Sequence, residues 1–406
     1  MVVLSSSSGQ RDASRRAAKR ELRKTHRQQK RPDFDCIALV LQGGGALGAY
    51  QGGVYQALAE AGLHPDWVAG ISIGGINSAL IAGNPPEART DKLREFWESV
   101  TTEGLFLLGD RRGWAWAKGD FARSLRNKIS AVHAVMTGAP NFFTPRPLPP
   151  LMQPPGSIEA TSYFETGPLR ATLERLVDFD RINSGEMRLS LGAVNVGSGN
   201  FVYFDTATHS IRPEHVMASG ALPPGFPAVE IDGEFYWDGG LVSNTPLDWV
   251  VESWPPQDTL AFQVDLWSAR GDFPRTINEV LTRQKEIQYS SRTRATTDRF
   301  KAMQRMRNSI GSLLEKLPPE MKTSPEAQFL HNCSERNVYS IVHLICRAQS
   351  YEGDSKDYEF SRLSMEEHWR AGYNDTVRTL RHPEALEPPH TLEGVATFDL
   401  ARDGRE

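Results

Sequence analysis

No stretch of this chain approaches the roughly 20 consecutive apolar residues of a membrane-spanning helix, and residues 1–35 lack the apolar segment of a secretory leader. Arg15-Arg16 is a twin arginine, but no hydrophobic run follows it. Cysteine is scarce. Cys36, Cys333 and Cys346 are odd in number and fit no metal-ligand spacing, which excludes a disulfide framework or a zinc module and predicts reduced thiols. A large excess of one charge is also missing. The 406 residues hold 46 Lys/Arg against 50 Asp/Glu, a formal −4, so no nucleic-acid partner is expected. No internal repeat is present. These absences predict a cytoplasmic globular protein whose membrane contact is at most peripheral, at the inner face.

What is present is unevenly spread. Residues 1–32 carry ten Lys/Arg against Asp12 and Glu21, so the remainder bears about −12. This basic arm, taken to residue 33, has few large aliphatics and is expected to be solvated; its charge could still draw it to anionic lipid. Order is expected from Phe34. Residues 36–41 form a continuous apolar run, as in a parallel strand buried on both faces. Gly43-Gly44-Gly45 ends it. Leu47, Tyr50, Val54 and Leu58 then recur at helical spacing up to a stop at Gly62. Residues 67–71 read as a second strand and 73–81 as a second helix. Strand, helix, strand and helix in about 50 residues predict an α/β fold with a mostly parallel central sheet flanked by helices.

Residues 87–100 read as helix. From Thr101 to Glu165 the chain holds Trp114, Trp116, many glycines and a Pro-rich run at 140–155. That predicts an excursion from the sheet, serving as a lid or cap or packing only on itself. A helix at 169–176, paired strands at 188–196 and 200–204, a hairpin across Asp232-Gly233 and a strand at 260–266 follow. Residues 276–307 read as one long charged helix, 338–345 as a strand and 364–380 as a helix; the chain beyond His382 reads as loose. The expected division is an arm (1–33), an α/β body (34–270), a mainly helical C-terminal region (271–385) and a loose tail (386–406).

Three motifs carry chemistry. Gly70-Ile71-Ser72-Ile73-Gly74 is a G-x-S-x-G between a strand and a helix, the setting of a nucleophile elbow. The turn projects the Ser72 hydroxyl, and the helix N-terminus behind it favours developing negative charge. Gly43-Gly44-Gly45-Ala46-Leu47-Gly48 also joins strand to helix, and successive glycine amides there can cradle an anion. In acyl transfer that anion is the oxyanion of a tetrahedral intermediate. The same run is formally G-x-G-x-x-G, the signature of a dinucleotide-binding oxidoreductase. That reading needs an acidic residue at the end of the second strand, where Ser72 stands; Asp66 lies at the other end. Asp238-Gly239-Gly240 follows Phe235-Tyr236-Trp237. Asp238 is either a turn residue or a carboxylate whose burial raises its pKa into a range useful for a base.

Taken in order, the glycine loop (Gly43 to Gly48), the elbow (Gly70 to Gly74), the block from Ala218 to Pro227 and Asp238-Gly239-Gly240 with the run Leu241 to Pro246 resemble the patatin-like phospholipases, over about residues 34–266. The resemblance implies a three-layer α/β fold with an α-rich C-terminal extension. It implies a Ser72–Asp238 dyad without histidine, an oxyanion hole at Gly43, Gly44 and Gly45, and hydrolysis of fatty acyl esters of the phospholipase A or lysophospholipase type. No metal or organic cofactor is implied, and the partner is a lipid or other acyl ester. A histidine-containing triad would draw on His331, His343, His368, His382 or His390, none of which stands in a clear strand-end loop. A lipid-binding scaffold on the same fold is the non-enzymatic alternative. Leu47 stands where the family often has Lys or Arg, and Gly75 where a small residue such as Ala is frequent.

Overall fold

The computed structural model describes residues 23–28, 30–102, 120–290, 293–334, 337–347, 353, 355–391 and 393–400. The first 22 residues of the basic arm, Trp114 and Trp116 of the excursion, and the tail beyond residue 400 lie outside the described residues. Eleven strands occur among the described residues: β1 (Cys36–Leu41), β2 (Trp67–Ile71), β3 (Thr144–Pro145), β4 (Phe164–Glu165), β5 (Arg188–Asn195), β6 (Phe201–Asp205), β7 (Val229–Ile231), β8 (Glu234–Asp238), β9 (Thr259–Asp265), β10 (Tyr339–Ile345) and β11 (Val395–Phe398). β3 and β4 pair with each other, and the other nine form one sheet.

The sheet is mostly parallel. β11, β10, β9, β1, β2 and β5 run side by side in one direction; β6 and β8 pair antiparallel to β5, and β7 antiparallel to β8. Every residue of β1, β2 and β9 is buried; such strands are mostly apolar, and the polar Gln263 and Asp265 of β9 hydrogen-bond to each other. The register fixes the functional edge. Leu41 lies opposite Gly70 on one side and Val264 on the other. The carboxyl ends of β1, β2 and β9 therefore finish level, where ligands of open α/β sheets bind.

The C-terminal region belongs to this layer rather than standing apart from it. It supplies β10 and β11, and the helix Arg362–Leu380 lies against the helix Ala49–Glu60. The two backbones come so close that a Cβ on Gly53 would meet the Trp369 carbonyl at 1.8 Å. β11 corrects the loose tail expected beyond residue 386. Four residues after a turn at Gly394 are too few to show a period, and their order comes from pairing with β10. The single helix expected over 276–307 is two, Ile277–Tyr289 and Thr293–Glu315; the first ends at Ser290 in extended backbone. The arm also differs from expectation. Arg23 exchanges backbone and side-chain hydrogen bonds with Arg381, and the Gln28 amide donates to the Ala61 carbonyl at 3.3 Å. Cys36 and Cys346 are buried free thiols and Cys333 is exposed. Among the described residues no helix is long and apolar enough to cross a membrane.

Candidate active site

β2 stops at Ile71, opposite Gly192 of β5. β5 continues, and the next residue, Ala193, pairs with Asp238 at the end of antiparallel β8. β8 thus enters from the opposite direction the lane that β2 leaves, and the two strand ends meet. Ser72 follows one strand end, and Asp238 closes the other.

Ser72 has φ 57° and ψ −126°, a conformation a non-glycine residue holds only at a cost of about 1–3 kcal/mol. The surroundings enforce it: its amide donates to both the carbonyl and the hydroxyl of Ser219 at 3.1 Å. The turn feeds the helix Ile73–Ala82, whose first amide, that of Ile73, has no partner among the described residues. Asp238 is buried. Burial pushes its carboxyl up to about 7, against hydrogen bonds from the Ser72 hydroxyl and the Gly240 amide; the latter is 2.7 Å long. A carboxylate so placed can accept the Ser72 proton near neutral pH.

The glycine loop stands beside Ser72, and a Cβ on Gly43 would lie 3.0 Å from that of Ser72. The structure corrects its expected role. The Gly43 amide donates to the Asn244 carbonyl at 3.3 Å, so it is not free to bind an oxyanion. The amides of Gly44 and Gly45 have no partner among the described residues. Gly45 has φ +55°, and a Cβ there would strike the Asp357 carbonyl at 2.1 Å; that carbonyl accepts the Ala46 amide at 2.8 Å. The remaining motif glycines, Gly48, Gly70, Gly74, Gly239 and Gly240, all sit where a Cβ would come within 3.0 Å of a neighbouring atom. They let the two turns and the two strand ends interlock.

Ser72 and Asp238 open into a cavity of about 340 Å³. Its walls are Phe142, Phe143, Phe164, Phe226 and Phe360 with Ile73, Ile76, Ala134 and Leu222, and the phenyl rings meet at 5.0–6.3 Å between centroids. Such a lining accepts a hydrocarbon chain. One wall comes from the C-terminal region: Tyr289 at the end of the helix Ile277–Tyr289, and Asp357, Tyr358 and Phe360. Two ion pairs of 2.9 Å, Lys285–Asp357 and Lys356–Glu286, fasten that helix to that segment.

No histidine lines this cavity among the described residues. His343 lies buried on β10, where burial lowers it to about 4, and His368 and His382 are buried elsewhere. The dinucleotide reading finds no acid at the end of β2. Asp66, at the other end, accepts the Ile37 amide at 2.7 Å and pairs with Arg31. Sequence reading missed Ser219, Asn244, Trp267, Tyr289 and Asp357, which hold the motifs in place. Asn244 and Ser219 stood inside runs the sequence singled out, without a role of their own; the others are polar or aromatic residues in unremarkable contexts.

Comparison with known proteins places the chain in a family. The Patatin-like phospholipase family model matches residues 39–251, just over half of the chain, and a second, described as Patatin phospholipase, matches residues 287–392. The chain is 48% identical over 67 residues to Patatin-like phospholipase domain-containing protein 6 of Mus musculus, covering 16% of this chain and 5% of that one. It is 49% identical over 57 residues to Lysophospholipase nte1 of Aspergillus terreus, 14% of this chain and 4% of that one. It is 42% identical over 73 residues to Neuropathy target esterase sws of Drosophila sechellia, 18% and 5%. The match thus spans about one twentieth of these relatives. Among solved structures, VipD from Legionella pneumophila aligns over 97% of this chain and 78% of that one, at 17% identity and a TM-score of 0.38. On the extent of the first match, the chain belongs to the patatin-like phospholipase family.

Proposed function

We propose that this protein hydrolyses carboxylic esters of fatty acyl chains in lipids, with Ser72 as nucleophile and Asp238 as general base. The carrying observation is the head-on meeting of β2 and β8, which sets a strained serine against a buried carboxylate at the mouth of an apolar cavity. The family, and relatives named lysophospholipase and esterase, support the lipid ester class. Asp238 takes the Ser72 proton as Oγ attacks the ester carbonyl carbon. The oxygen of the tetrahedral intermediate becomes an oxyanion, received by the amides of Gly44, Gly45 and Ile73. As the C–O bond breaks, the leaving alcohol takes the proton from Asp238 and an acyl-enzyme remains. Water then attacks this ester, gives a proton to Asp238, and the acid departs as Ser72 recovers its hydrogen.

Exposed apolar residues between β3 and β4 support peripheral contact with a lipid surface: Leu151 is 95% exposed and Met152 72%, and the same segment ends in cavity residue Phe164 of β4.

The test is labelling of the wild type, Ser72→Ala and Asp238→Asn with a fluorophosphonate, followed by mapping of the adduct by mass spectrometry. An adduct on Ser72 that vanishes in the alanine variant and weakens in the asparagine variant supports the dyad. An unlabelled wild type, with and without liposomes, leaves a lipid-binding protein without this chemistry.

A further inference from the structure

The Gly43 carbonyl is held by two side-chain donors from different parts of the chain. Trp267 Nε1 donates to it at 3.0 Å and Asn244 Nδ2 at 3.1 Å. The amide of the same glycine is spent on the Asn244 backbone carbonyl. Gly43 is thus fixed on both sides, although nothing in the glycine-rich sequence would make it rigid.

A trans peptide carries its C=O and its N–H on opposite edges of one plane. Holding the Gly43 oxygen therefore fixes the direction of the Gly44 N–H. That N–H has no partner among the described residues, and Gly44 lines the cavity together with Ser72. We infer that Trp267 and Asn244 are positioning residues: they clamp the Gly43 carbonyl so that the Gly44 amide is aimed at the developing oxyanion before substrate arrives. This inference rests on the ester hydrolase reading above and gives a role to two residues that the motifs left without one.

Both clamp donors are themselves held. The Trp267 amide donates to Gln42 Oε1 at 2.9 Å, its ring lies 5.6 Å from that of Tyr289, and the Lys356 ammonium sits 5.1 Å from its centroid. Asn244 Nδ2 also donates to the Tyr289 carbonyl at 2.8 Å. The clamp thus joins the ends of β1 and β9, the loop after β8 and the helix Ile277–Tyr289. An oxyanion donor needs such preorganisation, because a donor that must reorient during the reaction loses part of its effect.

Trp267→Phe removes the indole N–H and keeps an aromatic ring, and Asn244→Ala provides a second variant. Glycine labelled with ¹³C at the carbonyl and ¹⁵N at the amide gives carbonyl-to-nitrogen correlations only for Gly-Gly peptides: 43–44, 44–45, 52–53, 74–75 and 239–240. The 43–44 correlation reads the clamped peptide whether or not the protein is active. In Trp267→Phe that correlation is expected to move or broaden while 52–53 stays in place. On a soluble monomeric ester, kcat is expected to fall about tenfold or more. KM stays within about twofold, and the pH midpoint of kcat is unchanged. A trifluoromethyl ketone, which forms a tetrahedral oxyanion on the serine, should weaken by the same factor as kcat. An unmoved 43–44 correlation in both variants overturns the clamp, whatever the activity. A moved correlation with unchanged kcat overturns its positioning role. A moved correlation in a protein whose wild type is neither labelled at Ser72 nor hydrolytic leaves the clamp standing and overturns the hydrolase reading instead.

Discussion

Ser219 holds the Ser72 amide twice, through its carbonyl oxygen and through its hydroxyl, each at 3.1 Å. The same hydroxyl donates to the Gly192 carbonyl at 2.7 Å, so one fully buried side chain links the elbow to β5. Ser219→Ala leaves the Gly192 carbonyl without this donor, which costs about 1–3 kcal/mol for a buried group. The expected result is a lower midpoint in urea unfolding and a reduced rate of Ser72 labelling. Unchanged values for both would show that the Ser219 carbonyl alone holds the turn.

Asp238 gives the pH dependence a definite sign. Its folded value of about 7 lies above the ordinary 3.8, so the folded protein keeps a proton that the unfolded chain releases between those values. The stability this site contributes is full below about pH 4 and is lost as pH rises toward 7. Hydrolysis runs the other way, since the base must be ionised: kcat should rise through a midpoint near 7. In Asp238→Asn the difference in unfolding free energy from wild type should vary with pH across that window, and the hydrolytic limb should disappear. A wild-type rate that is flat from pH 5 to 8 would remove Asp238 from the role of base.

Gly45 and Gly62 form a matched comparison. Both have positive φ, +55° and +70°, but a Cβ on Gly62 meets nothing within 4 Å while one on Gly45 meets the Asp357 carbonyl. Gly62→Ala should cost about 1–2 kcal/mol, the price of that backbone region alone. Gly45→Ala should cost distinctly more and abolish turnover, because the loop must leave the Asp357 segment to relieve the clash. Equal melting temperatures for the two variants would contradict this packing.

Acyl-chain length should follow the volume of the cavity. Ala134, on the helix Asp120–Thr137, lies in its wall. Ala134→Phe puts a ring into space otherwise open to substrate. With p-nitrophenyl esters of increasing length, the variant is expected to lose long-chain activity by at least tenfold while hydrolysis of the acetate or butyrate stays near wild type. Uniform loss at all lengths would mean that the chain does not lie along this wall.

The parts of the fold that could be read from the sequence are those whose pattern is local. β1 and β2 are short apolar runs closed by glycine turns, and both were expected at the residues where they occur. The hairpin across Asp232-Gly233 was equally plain, since both residues take positive φ. Ser72 and Asp238 stood out because the proposed chemistry calls for a serine between glycines and for an acid followed by glycines. The rest of the site was not legible because its meaning is tertiary. Trp267 becomes significant only when the ends of β1 and β9 finish level, and Asp357 only when its carbonyl meets a loop more than 300 residues earlier. The Gly43 amide misled for a related reason: three successive glycines look alike until Asn244 claims one of them.

The two family-matched segments, 39–251 and 287–392, leave β9 between them, yet β9 is the strand that joins their parts of the one sheet. β1 pairs with it on one side and β10 on the other. A fragment cut at residue 251 would expose the full edge of β1, a row of unpaired amides and carbonyls ready to template aggregation. It would also lack Trp267, Tyr289, Asp357 and Phe360. Minimal versions of this protein should therefore be designed around the sheet, by trimming the ends of the chain and keeping everything from β1 to β11.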